Sequence, residues 1–203
     1  MEQQPKNRPA GDQPAAEEYE AERQAPRPQI YIASLADYNA GRLHGTWVDA
    51  AQDPDALAEA AHSMLAASSI FGAEEYAIHD FEGFGPLRLS EHESLDTVSL
   101  IAEGIAEHGP AFAHWAALVD ERTPDALNRF DDVYCGHFDS LTDYAECLLD
   151  DLGLSRELDQ SLPDVLRPYV HIDIDAFARD MELSLDVLTS EGDGGVYVFE
   201  GGR

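Results

Sequence analysis

Apolar residues recur along this chain at two different spacings, and the switches between them mark out its elements. Residues 1–28 are rich in Pro, Gln, Ala and Glu and nearly empty of large aliphatics, with Tyr19 the one large apolar side chain. That composition predicts a disordered leader. From Gln29 the pattern changes. QIYIAS (29–34) reads as a strand, ADYNAGRLHG as a turn-rich connection punctuated by Asn39 and Gly41, and GTWVDA (45–50) as a second strand. Asp53 is placed to cap a helix that starts at Pro54, with Leu57, Ala60, Ala61, Met64 and Leu65 as its apolar stripe. In EEYAIHDFEGFG, Tyr76, Ile78 and Asp80 alternate with Ala77 and His79, which predicts a third strand running into a glycine turn. Residues 29–94 thus read as a small α+β unit.

From Ser94 the period is helical. Ser94 caps a segment with Leu95, Val98, Ala102 and Ile105 on one face, ended by Gly109-Pro110; AFAHWAALVD and TPDALNRF follow as short helices. Residues 95–132 read as a helical module between two neighbours. Residues 133–203 open with a strand candidate, VYCGHF. Leu141, Tyr144, Ala145, Leu148, Leu149 and Leu152 then repeat at i, i+3, i+4, i+7, i+8 and i+11, behind a cap at Ser140 and before a C′ residue at Gly153. Ile174, Phe177, Ala178, Met181 and Leu185 form a second stripe, and two β-branched and aromatic runs around a Gly-rich turn predict a closing hairpin. The fold class is therefore α+β in three small units.

The polar faces of those last helices change the picture. Asp143, Glu146, Asp150 and Asp151 line one, and Asp175, Asp180, Glu182 and Asp186 the other. The whole chain has 41 acidic and 12 basic residues, a net charge of −29, and Lys6 is its single lysine. From Gln29 onward 35 acids face 8 arginines, a net −27. That many charges match the phosphates of roughly 46 Å of duplex DNA. A compact globule of this size is about 40 Å across, so the charge per unit length approaches that of DNA. Such a balance argues against a nucleic acid or an anionic membrane as ligand, and suits a basic protein surface, polyvalent cations or a high-salt cytoplasm. Adaptation to salt explains the composition equally well.

Other chemistry is not signalled. Cys135 and Cys147 lack a CxxC spacing and read as reduced, semi-buried thiols; no secretory signal or membrane-spanning run is present, which predicts a soluble, cytoplasmic protein. No dinucleotide, phosphate-loop, zinc-protease or nucleophile-elbow motif occurs, and no cofactor is expected. His171-Ile172-Asp173-Ile174-Asp175 resembles a metal-ligand run but lacks the glycine and glutamate of a calcium loop, so a solvated helix start is the favoured reading. His79-Asp80 beside Glu82 has the makings of an acid–base pair, although such neighbours arise by chance in so acidic a chain. Trp47 and Trp115 read as core. An acidic hydrolase from a salt-adapted host and an acidic module binding some other basic protein are the alternatives these residues leave open.

Three stretches taken together resemble the ArdA family of antirestriction proteins: Ile30–Ala50 (IYIASLADYNAGRLHGTWVDA), Glu74–Gly85 (EEYAIHDFEGFG) and Leu162–Ser184 (LPDVLRPYVHIDIDAFARDMELS). In the last, Asp173, Ala176, Phe177, Ala178, Arg179 and Asp180 make up a D-x-x-A-F-A-R-D core. The leader lies outside the resemblance, and His171 stands where an aromatic residue is expected. The resemblance implies an elongated protein of three small domains that dimerises through the C-terminal one. It implies carboxylates spaced like the phosphates of bent B-form DNA, occupying the DNA-binding groove of type I restriction–modification enzymes. No residue is then catalytic. Asp143, Glu146, Asp150, Asp151, Asp175, Asp180, Glu182 and Asp186 stand in for phosphates, helped by Glu103, Glu107, Asp131 and Asp132. Val196, Val198 and Phe199 are candidates for the dimer interface, with a core role equally open.

Overall fold

The structure, a computed structural model, describes residues 27–201. All but the last two residues of the expected leader, Tyr19 included, lie outside that range. The chain is mixed α+β, as its periodicity predicts, with two three-stranded antiparallel sheets. The first contains β1 (Gln29–Ser34), β2 (Gly45–Asp49) and β3 (Tyr76–Glu82) in the order β2-β1-β3. Between β1 and β2 runs a short helix, α1 (Leu35–Asn39), in place of the expected turn-rich connection. Ser34 caps it, accepting from the Asp37 amide. The buried Asp37 carboxylate accepts from Ser68 at 2.5 Å and Ser34 at 2.7 Å. Those two hydroxyls, Ser68 foremost, hold its pKa below the usual carboxylate value against the opposing effect of burial. Helix α2 (Pro54–Ala66) begins at the predicted Asp53 cap and buries Leu57, Ala61, Met64 and Leu65 on the sheet.

β3 carries an irregularity that its sequence does not announce. Tyr31 pairs with Asp80 and Ile32 with Ile78, so His79 is the extra residue of a bulge. Ile78 therefore faces the core and Asp80 the opposite side, instead of sharing a face as their spacing predicts. Trp47 is a second departure. It alternates with the buried Val48 and remains 42% exposed, on the outer side of the sheet rather than in the core.

Two helices, α3 (Leu95–His108) and α4 (Pro110–Leu118), then form a hairpin, followed by the single turns α5 (Pro124–Leu127) and α6 (Phe130–Val133). One buried cluster runs from Ile30 and Ile32 through Val98, Ile101, Phe112 and Trp115 to Tyr197 and Phe199 of the second sheet. The helical segment thus shares its core with both neighbours. The second sheet contains β4 (Tyr134–Phe138), β5 (Val187–Gly192) and β6 (Gly195–Glu200), in the order β4-β6-β5. Helices α7 (Leu141–Asp151) and α9 (Ile174–Leu183) bury Ala145, Ala178 and Met181 beside Val187, Val196 and Val198 in a smaller cluster. Between them, α8 (Leu154–Ser161) is a helix with no buried side chain among those described, which is why no apolar stripe predicts it. Gly153, left-handed at φ 69°, separates it from α7. Leu185 was expected on the stripe of α9 but lies beyond the helix, at φ 58° and largely exposed. It occupies the left-handed position of a Schellman turn, closed by Leu185 N–H to Glu182 O (3.2 Å) and Asp186 N–H to Met181 O (3.0 Å). Cys135 is half-buried as expected, whereas Cys147 is exposed.

His114 ties α4 to the second sheet. It is buried, its Nδ1 lies 2.7 Å from the Ser190 hydroxyl, and its ring stacks on Tyr197 at 4.2 Å. Burial holds its pKa below 6.5; Asp193 opposes that shift and His137 adds to it. The unfolded chain therefore takes up a proton here before the folded one does. Stability from this group is complete above about pH 6.5 and declines as the pH falls below it toward the folded pKa. We predict that His114→Phe, which keeps a ring against Tyr197, loses less stability than wild type between pH 7.5 and pH 5 in urea denaturation. Parallel losses would remove His114 from the account.

Candidate functional site

The acidic surface follows from how α7 and α9 are anchored. Each sets a narrow apolar stripe on the second sheet, so helical geometry turns the remaining positions to solvent. Asp143, Glu146, Asp150 and Asp151 on α7 and Asp175, Asp180 and Glu182 on α9 are all exposed; Asp186, just past α9, is half-buried. Both helices start on side-chain caps. The Ser140 hydroxyl accepts from the Asp143 amide at 3.2 Å and donates to the Asp143 carboxylate at 2.6 Å. Asp173, in the His171–Asp175 run, caps α9 by accepting from the Ala176 amide at 3.0 Å. No group of three or more His, Cys, Asp or Glu among the described residues is placed to hold a metal ion.

Hydroxyls orient four of these carboxylates, Asp143 among them. Thr142 donates to Asp175 at 3.1 Å, joining α7 to α9; Thr189 of β5 donates to Glu182 at 2.7 Å, and Ser184 to Asp186 at 2.8 Å. The salt bridges among the described residues lie elsewhere. Arg27 pairs with Asp49, Arg122 with Glu93, and Arg167 with Asp164. Asp143, Glu146, Asp150, Asp151, Asp175, Asp180 and Glu182 take part in none of them. A hydroxyl donor fixes a carboxylate without cancelling its charge.

The four helper residues, Glu103, Glu107, Asp131 and Asp132, are also exposed. Glu107 and Asp131 meet at His108, whose ring nitrogens lie 3.8 and 3.7 Å from them and whose ring packs on Phe112 and Phe130. The fold adds carboxylates that helix periodicity did not single out. Asp139 and Glu191 join Glu182 around one cleft, and Asp159 joins Glu146, Asp150 and His171 around another. They stand on a loop, a strand and α8, so only the packing of those elements brings them together. Val198 and Phe199 have no exposure, and Val196 has 9%. β6 is the central strand of its sheet, and these side chains fill the core on either face, so core is the role the structure gives them. Exposed apolar residues of this region include a run of four, Val165, Leu166, Tyr169 and Val170, in the connection before α9. Among the described residues no helix is long and apolar enough to cross a membrane.

The family model for antirestriction protein (ArdA) matches residues 30–195, a span that takes in the first sheet, the acidic helices, and β4 and β5 of the second sheet. No curated protein matches the chain.

The Ser140 cap sets the direction in which α7 presents its acids. Ser140→Ala is expected to cost about 1 kcal/mol, measured by chemical denaturation. An unchanged midpoint would show that the stripe alone fixes the helix.

Proposed function

Since the chain belongs to the ArdA family of antirestriction proteins, we propose that it acts as a protein mimic of bent B-form DNA. In this reading it occupies the DNA-binding groove of a type I restriction–modification enzyme in the cytoplasm and blocks restriction of incoming mobile DNA. The observation that supports it best is the exposed array on α7 and α9, with seven carboxylates outside every salt bridge among the described residues. A groove built to accept phosphates gains from releasing counterions, and ordered carboxylates draw on the same gain. Preorganisation matters here, because side chains already held by Thr142, Thr189 and Ser140 lose less freedom on binding. The protein works as a homodimer in this account. The exposed Val165, Leu166, Tyr169 and Val170 lie in its C-terminal part and offer the apolar surface for pairing.

No residue is given a catalytic role. Affinity is spread over many weak contacts, each worth what an exposed ion pair is worth. Single Asp→Asn changes among the eight helix positions are therefore expected to weaken binding by no more than about fivefold, and combined changes progressively. Relief of self-repulsion leaves such variants folded, so the loss can be assigned to binding. The test is displacement of labelled duplex DNA from a purified type I enzyme. Wild type at stoichiometric amounts is expected to displace it, and a variant neutralised at all eight positions is not. Abolition by one single change would point to a discrete site, and no displacement at all would return the charge to host adaptation.

A further inference from the structure

The first sheet covers one of its faces and leaves open the part of the other around Trp47, away from the buried Ala33 and Ala77. Ile30, Ile32, Val48 and Ile78 are buried, so strand alternation and the β3 bulge turn Tyr31, Trp47 and Asp80 outward. Tyr31 lies opposite Trp47 on one side and Asp80 on the other. The two rings are 5.5 Å apart, tilted by 55°. The Tyr31 ring also fills the space beside Gly45, where a Cβ would fall 2.7 Å from its Cζ. The aromatic pair is thus held in place while Trp47 stays in solvent. Carboxylates surround it: Asp80 in the same row, and Asp49 and Glu82 on either side of Gln29 in the next. Backbone donors fix two of them, with the Phe81 amide 2.9 Å from Asp80 Oδ1 and the Ala51 amide 3.0 Å from Asp49 Oδ1. A guanidinium already rests on this edge, since Arg27 Nη1 lies 3.4 Å from Asp49 Oδ2.

We infer that this sheet face is a second contact surface and that it accepts an arginine side chain of a basic protein partner. The guanidinium stacks on the Trp47 ring and donates to the carboxylate row. Charge complementarity selects a cation and repels phosphate. The ring then selects arginine over lysine, because a guanidinium is planar and weakly hydrated whereas an ammonium holds its water. The bulge at His79 is what brings Asp80 into the row beside the aromatic pair. The inference rests on the proposed function for the identity of the partner, while the chemistry of the face stands independently.

The test uses the full chain with fluorescently labelled hexa-arginine and hexa-lysine peptides, read by anisotropy. Wild type is expected to prefer hexa-arginine, and Trp47→Leu to lose about two- to fivefold of that preference, with hexa-lysine affinity unchanged because net charge is unchanged. Trp47→Phe keeps a ring and retains part of the preference. The same arginine preference in Trp47→Leu as in wild type overturns the proposal, as does equal binding of the two peptides to wild type. Neither result depends on a restriction enzyme. A protein that selects arginine through Trp47 yet fails to displace DNA would refute the mimicry and leave this surface standing.

Discussion

Self-repulsion is the constraint this fold answers to. From Gln29 onward 35 acids share the chain with 8 arginines, a density of like charge that works against any compact state. Burial has to exceed that repulsion, and the apolar residues are placed accordingly. One continuous cluster takes in the first sheet, the central helices and the Tyr197 and Phe199 side of the second sheet. Phe199 sits at the crossing, with Trp115, Phe130 and Tyr134 rings 5.5 to 6.4 Å away. The acidic helices contribute little to that core. Each sets one apolar stripe on the smaller cluster, with Ala145, Leu141, Tyr144 and Leu148 from one helix and Ala178, Met181, Ile174 and Phe177 from the other, and the opposite face is left for carboxylates.

This division of labour explains why hydroxyls recur at the acidic positions. A basic partner within the chain would lower the repulsion but also cancel the charge that the surface exists to present. Ser140, Thr142 and Thr189 give Asp143, Asp175 and Glu182 a donor and a fixed direction at no cost in charge. The first sheet uses a backbone amide for the same purpose at Asp80. The result is a rigid distribution of negative charge, in which order is separated from neutralisation.

Much of this was legible in the sequence, and the omissions have physical causes. Asp53-Pro54, Ser94 and Ser140 announced three helices because a cap and an apolar stripe coincide there. Helix α8 was silent because none of its described side chains is buried. The alternation in GTWVD places Trp47 opposite Val48, and the uncovered part of the sheet face leaves the indole exposed although it reads as core. The bulge at His79 depends on pairing with β1, which no local pattern encodes. Val196, Val198 and Phe199 read equally as core or interface until β6 is seen between β4 and β5. Outward placement of the acids followed from the stripes alone. Their orientation did not, since Thr142 and Asp175 are 33 residues apart. The family came from ordered motif similarity rather than from charge, which salt adaptation matches equally well.

The central claim is that ordered carboxylates replace phosphates in a protein groove. Its most direct test is the salt dependence of binding, with the affinity of a type I enzyme for this protein and for duplex DNA measured side by side from 50 to 300 mM salt. The account predicts log–log slopes of similar steepness, with the protein's slope falling by about one for each contacting carboxylate converted to its amide. A shallow slope for the protein beside a steep one for DNA, or a slope indifferent to those substitutions, would contradict it.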